Sequence, residues 1–290
     1  ALDPKAQPKV VSAGEAFAII DAGDGMGMVS STAAMSKAME LAKKSGIGFV
    51  TVKNGCHFGA AGYYANMAAE RGMIGIAMCN TDQNMAVPGG KGMVIGNNPV
   101  AYAVPAGKYG TMSLDIAMSA TAALKINQAK IDNKPIPDTW LVDDQGVPTT
   151  NPHYYGTGGA LQPMAAHKGY GLSLLVDVLC GLLSGGQIPI GIPSWCFVLP
   201  EKNRASSAFI AINIGAFQPA DVFTERMEGY IDYLKSSPKA KGNHTIYYPG
   251  EIELNRKKKA DKEGITLPDD VVESLEKLSQ STGISIEWID

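Results

Sequence analysis

Long apolar runs are missing from this 290-residue chain. Each hydrophobic stretch is broken by Gly, Pro or a polar residue before the roughly 20 residues that a bilayer crossing needs. The opening ALDPKAQPKV has neither the basic region nor the apolar run of a secretory signal. Cysteine is scarce: Cys56, Cys79, Cys180 and Cys196 form no C-x-x-C pair, and three of them sit in apolar surroundings, which suggests reduced core thiols in a cytoplasmic protein. No two cysteines or histidines stand at zinc-ligand spacing, and His57, His153, His167 and His244 are too scattered to suggest a metal. An excess of one charge is lacking too. The 25 basic and 28 acidic residues leave a net charge of −3, so nothing advertises nucleic acid or an anionic membrane as a partner.

The usual nucleotide signatures are also absent. No G-x-G-x-x-G follows a strand, and no G-x-x-x-x-G-K-[ST] occurs; GDGMG at 23–27 has the wrong glycine spacing. A dinucleotide site, if present, is not of the Rossmann kind.

What remains is the balance of a globular enzyme, 45% hydrophobic and 18% charged, long enough for a large core. Apolar spacing predicts a helix over 32–45, a strand over 47–53, a helix over 60–72 closed by Gly72, and a buried strand over 73–79. This β-α-β unit makes its two strands parallel. Strands are expected at 100–106 and 111–117, a helix over 119–133, and surface loop over 135–167. Residues 168–185 read as a long apolar helix suited to burial, 187–205 as a Pro-rich loop, and 208–214 as a central strand. Helices at 219–237 and 267–283 flank a charged, exposed stretch at 254–264. The boundaries expected are 1–30 for an N-terminal linker and first strand, 31–217 for the core that binds cofactor and carries catalysis, and 218–290 for C-terminal helices and a charged tail packing back on it.

Parallel strands send their following loops to one sheet edge, where ligands of open α/β sheets collect. His57 and Asp82 occupy equivalent positions on two such loops. A carboxylate beside an imidazole raises its pKa and fixes its tautomer, which suits a general acid/base. A helix-start histidine and a turn or capping aspartate explain the same residues. Gly89, Gly90, Gly92 and Gly96 allow backbone to approach a ligand, with Asn97 and Asn98 offering amides; a glycine-rich hairpin accounts for them as well. Asp115 is a ligand contact or a helix cap, and Lys168 an anion contact at a helix start or a solvated lysine.

Taken in order, NGCHFGAAGYY, IGIAMCNTD, PGGKGMVIGNNP, LDIAMSA, IPDTWLVDDQGVPTTNP and HKGYGLSLLVDVLCGLLSG resemble the type-2 malate/L-lactate dehydrogenase family. That family includes ureidoglycolate dehydrogenase, sulfolactate dehydrogenase and piperideine-2-carboxylate reductase. The resemblance runs from about residue 10 to YYPGE at 247–251. It implies an α/β, non-Rossmann NAD(P)-binding fold with a mixed sheet and packed helices, in a cytoplasmic homodimer. It also implies NAD- or NADP-dependent interconversion of a small 2-hydroxy acid and 2-oxo acid such as malate, lactate or ureidoglycolate. The family's proton donor/acceptor histidine falls on His57 and its second-loop aspartate on Asp82. Its cofactor contacts fall on Thr81, Asp115, Ile116, Ala117 and Lys168, with Gly90 and Asn98 added from the glycine-rich segment. The family's G-T-N-P turn is Gly96-Asn97-Asn98-Pro99 here.

Two departures stand out. Family chains carry an upstream helical segment with a Ser-His-Gly motif and an arginine that serve catalysis and carboxylate binding. No Ser-His-Gly occurs in this sequence, and ALDPKAQPKV resembles the linker that follows that segment. Residues 185–207 correspond to a loop over the site in relatives, and contacts from Asn203 and Arg204 are not fixed by their sequence. A catalytically silent nucleotide-binding protein and a non-redox lyase acting on a carboxylate are the competing expectations.

Overall fold

The computed structural model describes residues 2–288. Strands β1 (Lys9–Ala13) and β2 (Phe17–Asp21) pair antiparallel, and helix α1 (Gly27–Ser45) crosses to β3 (Ile47–Gly55), parallel to β2. Helix α2 (Ala61–Ala69) leads to β4 (Met73–Cys79), followed by antiparallel β5 (Val100–Pro105) and β6 (Thr111–Ile116). After α3 (Ala123–Ile131) come three two-residue strands, β7 (Leu141–Val142), β8 (Pro148–Thr149) and β9 (Ala160–Leu161), which form a small separate sheet. Helix α4 (His167–Val176) continues into a π-helical stretch, Asp177–Leu182, before β10 (Ala205–Asn213). Helices α5 (Ala220–Lys235), α6 (Glu251–Glu263) and α7 (Asp269–Thr282) follow.

The seven-stranded sheet has the order β1-β2-β3-β10-β4-β5-β6. The fold is thus α/β with a mixed sheet and packed helices. β3 and β4 run in the same direction, as the β-α-β reading requires, but they are not neighbours. β10 lies between them, antiparallel to both.

Period-2 alternation sorts the core into two layers. Phe209 and Ala211 of β10, Val50 and Val52 of β3 and Ala77 of β4 join the cluster containing Ala34, Met35 and Ala38 of α1 and Tyr64, Ala65 and Ala68 of α2. Their sequence neighbours Ala208, Met78, Ile76 and Ile210 face Val176 and Cys180 on the opposite side. Both helices sit close to the sheet because the strands carry glycine at the contact. A Cβ on Gly48 would lie 2.0 Å from the Ala38 carbonyl oxygen, and one on Gly75 2.3 Å from that of Ala65.

The described structure departs from the sequence reading in three places. α1 starts at Gly27 rather than near residue 32, with no side-chain cap to mark its start. The segment 135–167 is not merely surface loop: Leu141 and Leu161 of its short strands are fully buried beside Met85, Ile95, Met118 and Ile126. Strands of two residues are too short to leave a periodic pattern. The apolar stretch 168–185 is buried on one face only: Val176 and Cys180 pack on the sheet, whereas Leu172, Leu175, Val178 and Leu182 stay exposed. The C-terminal helices differ among themselves. Ile231 of α5 is buried with Ala106 and Tyr248, whereas α6 and α7 contribute no buried residue.

One buried charge marks the π-helical stretch. Asp177 is 7% exposed, its Oδ1 has no hydrogen-bond partner, and burial pushes its pKa up to about 6, with the Asn98 amide pulling the other way. The folded-state pKa lies above the ordinary 3.8, so the folded chain binds the extra proton and loses stability as pH rises from 3.8 to about 6. Asp177→Asn should therefore gain stability relative to the parent chain as pH rises through that window; urea midpoints at each pH measure the difference. Gly48→Ala forces a Cβ against the Ala38 carbonyl and should cost about 1–3 kcal/mol, read in the same titration.

Candidate active site

A cavity of about 790 Å³ opens at the carboxyl ends of β3 and β4. β3 ends at Gly55, and the chain then presents His57 to the cavity while driving Phe58 into the core. Phe58 is 4% exposed and packs 5.2 Å from the Tyr64 ring, whose hydroxyl donates to the Phe58 carbonyl. That buried phenol has its pKa pushed up to about 12 by burial. From beneath, the start of α1 is pressed against the same turn: a Cβ on Gly27 would lie 2.2 Å from the Cys56 carbonyl oxygen. The backbone carrying His57 is held from two sides.

Asp82 lies three residues beyond β4 and lines the same cavity. It is half-buried, and burial raises its pKa against a weaker opposing contribution from the Ser194 hydroxyl. Its charge in turn raises the pKa of Tyr155, another wall residue, after the larger effect of burial. The sequence reading expected Asp82 beside His57, raising the imidazole pKa. The direction is the reverse: His57, although it keeps an exposed face, is lowered below 6.5 by partial burial. The reason is topological. With β10 between β3 and β4, their ends stand two strand spacings apart, about 10 Å. The two side chains share a cavity rather than a hydrogen bond. His57 is stacked instead on Trp195, ring centroids 4.3 Å apart and planes 10° from parallel.

Amides build the floor and brace it from behind. Asn98, fully buried with φ 25°, accepts the Thr81 backbone N–H at 2.9 Å and donates to the Ser173 carbonyl of α4 at 2.9 Å. The Thr81 hydroxyl donates to Asn97 Oδ1 at 3.1 Å, which also accepts from Asn84 Nδ2 at 3.0 Å. Thr81, Asn84 and Asn97 line the cavity, and Asn84 Oδ1 is buried without a partner.

The other residues singled out in the sequence lie elsewhere. Asp115 accepts the Gly62 N–H at 2.7 Å, placing a carboxylate at the start of α2, where the helix dipole favours it. Asp115, Ile116 and Ala117 are outside the walls of the large cavity, as are Asn98 and Lys168. Gly90 lines a second cavity of about 540 Å³, together with Ala165 and Ala166 just before Lys168. The segments 81–97 and 155–166 contribute walls to both cavities. Asn203 and Arg204 act as anchors: Asn203 Nδ2 donates to the Pro193 carbonyl at 2.6 Å, and Arg204 Nε meets Asp24 at 3.4 Å. Sequence reasoning missed Trp195, Ser194, Tyr155 and Met93. The one available signal was a tryptophan, SWCF, inside an otherwise Pro-rich loop. Among the described residues no group of three His, Cys, Asp or Glu stands ready to hold a metal, and no helix is long and apolar enough to cross a membrane.

Comparison with known proteins agrees with this architecture. The chain is 36% identical over 287 residues to malate dehydrogenase of Pyrococcus abyssi, covering 95% of this chain and 77% of the relative. It is 34% identical over 264 residues to the NAD(+) ureidoglycolate dehydrogenase of Escherichia coli K12, covering 90% and 74%. The solved sulfolactate dehydrogenase of Methanocaldococcus jannaschii superposes with a TM-score of 0.88 at 34% identity, covering 97% of this chain and 80% of that one. The family model for malate/L-lactate dehydrogenase matches residues 1–276. The chain belongs to the malate/L-lactate dehydrogenase family and is a dehydrogenase.

Proposed function

We propose that this dehydrogenase interconverts a small 2-hydroxy acid and its 2-oxo acid with NAD or NADP, and that His57 moves the proton. The observation that carries the reading is the convergence of His57, Asp82 and a row of uncharged hydrogen-bonding groups on one cavity of a size common for ligand sites.

The site fits a dinucleotide cofactor on its own chemistry. Asn84 Oδ1, buried and unpartnered, is an acceptor awaiting an N–H or O–H donor. The Thr81 hydroxyl and the Asn97 amide stand beside it, and Gly90 and the approach to Lys168 flank the second cavity. Thr81, Asn84 and Asn97 would hold the end that carries the nicotinamide, with Gly90 and Lys168 toward the other end. Asn98 and Asp115 serve from behind, Asn98 by fixing the Thr81 backbone and Asp115, ahead of Ile116 and Ala117, by fixing the start of α2. When bound, the cofactor supplies the hydride chemistry at C2 of the acid.

The chain's own task is the proton. His57, below its ordinary pKa, is an unprotonated imidazole at neutral pH, ready to take the hydroxyl proton when the alcohol is oxidised. In the reverse direction it must first be protonated to deliver that proton to the carbonyl oxygen. Asp82 faces the cavity as the relay partner, reached through the bound acid or a water rather than by direct contact with His57. The exposed stripe of Leu172, Leu175, Val178 and Leu182, spaced along one helical face, supports a homodimer. The unpaired cysteines suit a cytoplasmic setting.

His57→Ala should lower turnover by about 10²–10⁴-fold while cofactor affinity, measured by fluorescence titration, stays within about threefold. Unchanged turnover would remove His57 from the mechanism. kcat/KM for alcohol oxidation should rise with pH to a plateau, with its midpoint below 6.5, and the reductive direction should fall over the same range. Leu175→Glu should halve the mass seen by sedimentation; an unchanged mass would place the dimer contact elsewhere.

A further inference from the structure

The loop running from residue 188 to residue 204 brings indole and phenyl side chains to the cavity, and their placement bears on which acid fits. Trp195 covers one face of the His57 ring at 4.3 Å. Stacking leaves the imidazole nitrogens, which lie on the ring edge, free to exchange a proton. An acid bound with its C2 oxygen at that edge and its side chain toward the loop would have that side chain beside the indole. Phe58, Met93, Tyr155 and Phe197 line the same cavity, and the anionic wall residue is Asp82. A second carboxylate or a sulfonate on the substrate would add a like charge to a cavity whose lining, among the described residues, holds the Asp82 carboxylate and no lysine or arginine. An uncharged apolar group would instead exchange water for aromatic contact.

The loop is anchored to the fold. Its Asn203 amide closes it onto the Pro193 carbonyl at 2.6 Å, and Lys202 Nζ binds Asp24 at 2.6 Å, on the turn between β2 and α1. The same loop supplies Ser194 to Asp82. Consecutive residues therefore bear on both groups, Trp195 by stacking on His57 and Ser194 by lowering the Asp82 pKa.

We infer, building on the dehydrogenase reading above, that Trp195 is a specificity-determining residue and that it selects 2-oxo and 2-hydroxy acids with an uncharged, apolar or aromatic side chain over dicarboxylates and sulfonates. This sets the chain apart from the relatives whose names specify malate and sulfolactate.

The test compares kcat/KM for 4-methyl-2-oxopentanoate, phenylpyruvate, pyruvate and oxaloacetate, each with NADH and NADPH. The variants are the parent chain, Trp195→Ala and Trp195→Phe. The parent should favour the better of the two large apolar acids over oxaloacetate by about tenfold or more, a factor within reach of one apolar contact. In Trp195→Ala the ratio of that acid to pyruvate should fall about tenfold, and Trp195→Phe should keep most of it. Using a ratio cancels any general loss of active protein. Preference for oxaloacetate, or a ratio unmoved in a still active Trp195→Ala, overturns the inference and leaves the dehydrogenase reading standing. A parent chain that reduces none of the four acids with either cofactor overturns that reading, and the inference with it.

Discussion

Strand β10 hydrogen-bonds to β3 along one side and to β4 along the other, antiparallel to both. Because of that direction, Ala205 pairs with Gly55 and Ser207 with Cys79, so the beginning of β10 lies at the ends of its two neighbours. Three loops are thereby delivered to one edge: the one carrying His57, the one carrying Asp82, and the one that ends at Arg204. A parallel β10 would send the third loop to the opposite edge and leave the cavity without Ser194 and Trp195. The same insertion holds the histidine and the aspartate apart. The site is a chamber with an imidazole on one wall and a carboxylate on another, and it leaves room for a ligand between them.

A second constraint is polar. Asn80 and Asn98 are both fully buried, and each ties a strand end to a distant segment. Asn80 donates to the Gln187 carbonyl at 2.8 Å and accepts the Ser206 N–H at 2.7 Å, fixing the start of the long loop and the start of β10 to β4. Asn98 does the same between Thr81 and α4. Buried amides left without partners are costly, so satisfied ones specify a unique arrangement of the elements they join. The cavity floor is rigid for this reason, while its outer wall is an anchored loop.

Much of the core could be read locally. β3, α2 and β4 carry strong apolar patterning, and Gly72 marks the turn between helix and strand. β1 could not be read in that way, because all five of its residues are exposed and no alternation survives. The insertion of β10 is a long-range pairing that no window of sequence encodes, which is why His57 and Asp82 look like neighbours in the sequence and are not. Asp115 illustrates a different ambiguity. An aspartate at a strand end serves a ligand or a helix start equally well on paper, and only the 2.7 Å contact with the Gly62 N–H shows which group it meets. Trp195 sits in a stretch without periodicity, so its place over the imidazole depends entirely on where β10 begins.

The central position of β10 also governs the order in which the molecule can be assembled. The middle of the sheet is its last strand in the chain, more than 120 residues beyond β4. Until residue 213 has been synthesised, β3 and β4 have unpaired edges facing each other and their loops enclose nothing. A nascent chain of this topology must keep those edges from pairing with other strands, and its cavity forms at a late, cooperative step. Folding of this chain therefore carries the slow kinetics and aggregation exposure of a non-local topology, however regular its individual helices and strands are.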